Sequence, residues 1–162
     1  MLQKILPTVA DNTYRGHAIA KWLLILYVAK SFLAGSVHMF AADGGAQSIA
    51  SITLDQFTQG GANSVITMFA MWGMEQVVIG LIGVVILLRY QSLIPMMTLV
   101  YVIEYLGRFA IPFITPGVVS AHTPPGAVAD YVLVPLAIVM FFLSLKEVIG
   151  AEAGDSYPVK SS

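Results

Sequence analysis

The chain has 162 residues, of which 57% are hydrophobic and only 10% charged, whereas about a quarter of a soluble domain is charged; it reads as an integral membrane protein. Eight Lys and Arg against nine Asp and Glu give a formal net charge of −1, so there is no basic field to hold nucleic acid. The lack of cysteine excludes disulfides, thiolate nucleophiles, iron–sulfur ligation and CxxC redox chemistry.

Residues 1–21 carry Lys4, Arg15 and Lys21 ahead of the first apolar run and read as a cytoplasmic segment. A first spanning segment is expected over residues 22–40; its basic lead-in is long and Lys30 interrupts it, which favours a retained helix over a cleaved signal peptide. The loop from Asp43 to Asn63 is Gly-rich at both ends, with Ile49, Ile52 and Phe57 spaced for a short helix lying on the membrane surface as a lid. Segments over 65–88 and 93–114 follow, separated only by Arg89, Tyr90 and Gln91, so a tight hairpin of neighbouring antiparallel helices is expected. Three prolines and two glycines between Thr115 and Gly126 stop the third segment, and a fourth is expected over 127–145.

The fold class expected is therefore all-α: a polytopic, antiparallel four-helix transmembrane bundle over 22–146, followed by a cytoplasmic, disordered tail over 147–162. Lys and Arg flank the first segment, Arg89 sits in the second connection, and Lys146 and Lys160 follow the fourth; the other two connections have none before Gly126. By the positive-inside rule both termini face the cytoplasm and the two long loops face outward. The expected location is a bacterial inner membrane.

Charges inside spanning segments are costly, about 3 kcal/mol each on insertion scales, and default to function. On the third segment Tyr101, Glu104, Tyr105 and Arg108 fall at i, i+3, i+4 and i+7, one helical face. On the second, Met68, Met71, Trp72, Glu75 and Ile79 share a face with Gln76 at its edge, and on the first, Tyr27, Lys30, Ser31 and His38 do so. Asp130 and Tyr131 mark the outer end of the fourth. Converted to depth, Lys30, Glu75 and Glu104 lie near the midplane, and His38, Arg108 and Asp130 in the outer half. Pairing of Glu104 with Arg108 and of Lys30 with Glu75 would make these charges structural, fixing the rotation of an apolar bundle. The polar groups exceed what two salt bridges need, however, which points to a polar interior open to the outside. Two glutamates at low dielectric would separate in pKa, one serving as acid and one as base, with Arg108 stabilising an anionic oxygen. No two histidines share a depth, and no ligand spacing for a metal appears; neither metal nor cofactor is expected.

The first segment ends GSVHMFAADGG, the second reads MFAMWGMEQVVIGL and the third ends EYLGR. These resemble the small four-helix membrane proteins of the DoxX-like group, where a Gly-x-x-His/Lys step closes the first helix and a Gly-Arg step the third. The similarity covers residues 21–145, matches at His38, Glu75 and Arg108, and implies a four-helix bundle with a ligand pocket, linked in some members to quinone-dependent oxidation. The missing cysteines depart from the sulfur-handling members. A more distant similarity, of architecture and membrane-facing acids, is to sterol-isomerase-type proteins.

The functional expectation is a cavity binding a hydrophobic small molecule such as a quinone, terpenoid or sterol-like lipid. Its enzymatic version is a cofactor-free isomerase, cyclase or hydrolase with Glu75, Glu104 and Arg108 as the catalytic set and Lys30, His38, Trp72, Tyr101, Tyr105 and Asp130 binding the substrate. The alternative is a non-catalytic subunit or assembly factor of a larger membrane complex. The partners expected are thus a lipid-like molecule and either a second copy or a membrane complex.

Overall fold

The computed structural model describes residues 1–115 and 120–147. It contains a single-turn helix α1 (Leu2–Ile5) and four long helices, α2 (Ala18–Phe40), α3 (Gln59–Arg89), α4 (Ile94–Ile114) and α5 (Pro125–Leu145). All four are long and apolar enough to cross a membrane, and among the described residues the only β-structure is an isolated bridge between Ile52 and Ser120. The chain is an all-α, four-helix membrane bundle, as its composition and apolar runs imply. The expected tail, beyond Glu147, lies outside the described residues, as do residues 116–119 of the last loop.

Local chemistry sets the ends. The His17 ring accepts from the Ile19 N–H at 3.2 Å to cap α2, and the Thr58 hydroxyl accepts from Gly61 N–H at 3.2 Å to cap α3. That cap starts α3 six residues before the apolar run, so polar residues 59–64 extend it; Gln59–Asn63, Ser64–Gly60 and Thr67–Asn63 side-chain bonds support the added turns. At 31 residues α3 is about 46 Å long, well beyond the ~30 Å of bilayer hydrocarbon. Prolines at the first turns of α4 and α5 need no N–H partner there.

The packing differs from the expected hairpin. α3 lies along α2, and α4 lies along α5; α2 also touches α5 and α4, whereas α3 and α4 adjoin little beyond their connecting turn. Glycines explain the α2–α3 choice. A Cβ on Gly35 would sit 2.6 Å from the Gly73 carbonyl oxygen, and one on Gly73 would sit 2.7 Å from that of Gly35, so the backbones meet directly there. A short loop fixes the direction of the next helix but leaves its rotation about the turn free. The glycine contact therefore decides which partner α3 keeps.

The two ends of the bundle are closed differently. Residues 6–17 cross one end, where Ser92 Oγ donates to the Asp11 carbonyl and accepts the Asp11 N–H, both at 2.9 Å. Lys4 pairs there with Glu147 at 2.9 Å. At the other end the α2–α3 loop forms turns, a 3-10 turn over Leu54–Gln56 and a small apolar cluster of Ala46, Ile52 and Leu54 against Val65 and Phe69. The surface helix expected in this loop is not formed: Ile52 is buried while Ile49 and Phe57 point outward. Asp43 organises the turn instead, accepting from the N–H groups of Gly45, Gln47 and Ser48 and from the Ser48 hydroxyl. Ala121 N–H donates to the Ser51 carbonyl at 2.8 Å, tying the two long loops together.

Candidate functional site

The buried polar groups gather around Arg108 on α4. Its guanidinium lies 3.7 Å from Glu104, one turn earlier, and 3.8 Å from Asp130 on α5, with all three side chains at least 84% buried. Those separations allow ion pairing but exceed hydrogen-bonding distance. The guanidinium also stacks over Trp72 of α3 at 5.0 Å and over Tyr105 at 5.1 Å. The Lys30 ammonium of α2 also lies over the Tyr105 ring, 5.1 Å from its centroid. All four long helices thus contribute to one cluster.

Around it the tyrosines form a wall. Tyr27 meets Tyr101 and Tyr105 edge-on at 5.3 and 5.1 Å, and its hydroxyl donates to the Leu133 carbonyl of α5. The Tyr101 hydroxyl shares a 3.1 Å hydrogen bond with Ser31. His38 stacks on Trp72 at 4.7 Å, and its Nδ1 lies 2.8 Å from the Gly44 carbonyl, which only accepts. The ring therefore donates through Nδ1 and links the loop end to Trp72 and, through Trp72, to Arg108.

Six buried side-chain atoms have no hydrogen-bond partner among the described residues: both amide atoms of Gln76, Glu104 Oε2, Tyr105 Oη, Arg108 Nη1 and Asp130 Oδ1. Folded interiors leave few such atoms, each costing about 1–3 kcal/mol. Here four of the six, on Glu104, Tyr105, Arg108 and Asp130, belong to groups gathered around the Arg108 guanidinium. Gln76 is 2% exposed and lies one turn below Trp72 on the same face of α3. The charges in the cluster balance, Lys30 and Arg108 against Glu104 and Asp130, and so do the unpartnered donors and acceptors.

Most of the residues expected from sequence are brought together: Lys30, His38, Trp72, Tyr101, Glu104, Tyr105, Arg108 and Asp130. Glu75 is the correction. It is exposed on the outer face of α3, in line with Met68, Met71, Val78 and Ile82, which are 47–69% exposed. It remains within electrostatic reach of Glu104, but the expected Lys30–Glu75 pair is not formed; among the described residues Lys30 has no carboxylate within 4.0 Å. Gln76, adjacent in sequence and about 100° around the helix, occupies the inward position. A lone amide in an apolar run was the available signal for it. Asp130 also joins Arg108 more closely than its place at a helix end suggested.

Two cavities open elsewhere: one of about 340 Å³ beneath the N-terminal segment, beside Tyr14 and Ser144, and a groove of about 610 Å³ between α2 and α3. No protein-family model matches the chain, and neither does any curated protein or solved structure.

Proposed function

We propose that this membrane protein binds a hydrophobic small molecule whose neutral polar head engages the Arg108 cluster. The observation that carries this reading is the set of unpartnered buried polar atoms, four of them on Glu104, Tyr105, Arg108 and Asp130 around one guanidinium and two on Gln76, one turn along α3 from Trp72. A carbonyl or hydroxyl oxygen of the head accepts from Arg108 and Gln76, and a hydroxyl also donates to Glu104 or Asp130. A charged head would upset the balance of two cations and two carboxylates at low dielectric. Quinones, terpenoid alcohols and sterol-like lipids have such neutral heads, and the DoxX-like resemblance of the helix ends agrees with a pocket for one of them. The bundle would sit in a bacterial inner membrane with its termini cytoplasmic and both long loops outward.

In the enzymatic form of the proposal Glu104 is the acid or base of an isomerisation, cyclisation or hydrolysis, because its Oε2 is unpartnered and Arg108 is placed to stabilise an oxyanion beside it. Glu75 lies outside the cluster and is assigned no proton transfer within it. The test is native mass spectrometry of protein purified in mild detergent. The expected result is a stoichiometric neutral lipid, exchangeable with an added quinone, terpenoid alcohol or sterol. Protein that carries none and takes up none of the three refutes the proposal.

A second reading rests on Glu75. A carboxylate exposed among Met68, Met71 and Val78 in the membrane is expensive to leave to lipid, which favours a partner helix on this face and a role as a subunit of a membrane complex. Migration in mild detergent as a defined complex that Glu75→Leu dissociates is expected, and migration as the lone chain would count against it.

A further inference from the structure

The α2–α3 groove has the dimensions and charge of a lipid site separate from the Arg108 cluster. Its α2 wall runs from Lys21 through Ile25, Val28 and Ala29 to Phe32, and its α3 wall includes Val84 and Leu88. From Lys21 to Phe32 is eleven residues, a rise of about 16 Å. One leaflet of hydrocarbon is about 15 Å deep. The groove therefore spans one leaflet, apolar over its length and polar only at the end where Lys21 and Gln91 meet.

At that end the Lys21 ammonium donates to Gln91 Oε1 at 2.8 Å. Among the described residues it has no carboxylate within 4.0 Å, unlike Lys4 and Arg15 nearby, which pair with Glu147 and Asp11. Its charge is thus uncompensated, and an ammonium has two donors beyond the one Gln91 takes. Lys21 lies in the first turn of α2 and Gln91 in the α3–α4 turn, the level at which a headgroup phosphate sits when an acyl chain fills the groove.

We infer that this groove binds an anionic phospholipid, with one acyl chain between α2 and α3 and the phosphate on Lys21. The positive-inside topology would put it in the cytoplasmic leaflet, where a cation near the surface favours anionic lipid. Glycine packing at Gly80 and Gly83 against Phe32 and Val28 draws the helices together along the groove floor, so the bound chain would also reinforce the α2–α3 contact.

Native mass spectrometry with equimolar phosphatidylglycerol and phosphatidylcholine of identical chains tests this. Wild-type protein should retain phosphatidylglycerol about fivefold more, the effect of one interfacial cation. Lys21→Gln should abolish the preference. Gln91→Glu, which keeps the Lys21 contact but neutralises its charge, should do the same without lowering the melting temperature in phosphatidylcholine. Ala29→Trp should displace the chain and lower retention of both lipids. Equal retention by the wild type, or a preference that survives Lys21→Gln and Gln91→Glu, would overturn the inference, as would undiminished retention in Ala29→Trp. These outcomes are independent of whether a neutral ligand is found at Arg108.

Discussion

Replacing Gln76 by Leu separates a built binding site from a structural polar core. The amide is 2% exposed, and neither its oxygen nor its nitrogen has a partner among the described residues. Leucine has nearly the same volume, so the change removes an unsatisfied amide without opening a cavity. An unpaired buried polar group costs about 1–3 kcal/mol, part of which persists when the helices separate in an apolar medium. The ligand-free protein should therefore gain about 1–2 kcal/mol. Ligand binding should move the other way: the one hydrogen bond the amide donates to the ligand, at about 1 kcal/mol, corresponds to about fivefold in affinity. Stability is read from SDS titration followed by tryptophan fluorescence, and affinity from the fraction of neutral lipid retained in native mass spectra. A loss of stability of 1 kcal/mol or more would show that the amide is satisfied and structural. A gain in stability with unchanged lipid retention would place the ligand elsewhere.

Arg108→Ala leaves Glu104 and Asp130 buried without their cation and should destabilise by about 3–5 kcal/mol; adding Glu104→Gln and Asp130→Asn should restore much of that in the same SDS titration. Gly35→Val must force α2 from α3, because its Cβ meets the Gly73 carbonyl at 2.6 Å, and should cost about 1–3 kcal/mol, whereas the same change at Gly107, with open space around it, should cost less. The Asp43 carboxyl would be raised by burial, but the Ser48 and Gly45 N–H bonds outweigh this and hold it at about 2, below 3.8. Because the folded value is depressed, the turn's stabilisation is complete above about pH 4 and is lost as pH falls through 2. Proteolysis of the 43–57 loop should accordingly rise with acid in the wild type, and Asp43→Asn should remove that dependence.

The number and span of the helices were legible because an apolar run of about 20 residues has one physical outcome in a bilayer. Their neighbours were not. The three-residue link between α3 and α4 suggested adjacency, yet the decisive information lay in Gly35 and Gly73, two glycines whose complementarity is invisible until the helices are placed side by side. The α2–α3 loop was misread for a similar reason. Ile49, Ile52 and Phe57 have helical spacing, but Asp43 captures three backbone N–H groups in a turn, and an Asp side chain that competes for the backbone diverts a short segment from helix.

The site was largely legible on α4 and ambiguous on α3, and the difference is one of rotation. In a soluble helix the apolar stripe says which side faces the core. A spanning helix is apolar all round, so only its polar residues report its orientation. On α4, Tyr101, Glu104, Tyr105 and Arg108 repeat over two turns and leave a single solution. On α3, Glu75 and Gln76 are consecutive and point about 100° apart, and charge made Glu75 the natural choice for the interior. The close Gly35–Gly73 contact turns the other side inward: Gln76 lies against Gly35, and Glu75 is left outside. The neutral amide is also the better physical fit. Two cations and two carboxylates already balance around Arg108, so a third buried carboxylate would lack a counter-charge. An amide adds a donor and an acceptor to the same interior without changing its net charge, and the outward carboxylate stays free to meet whatever covers α3.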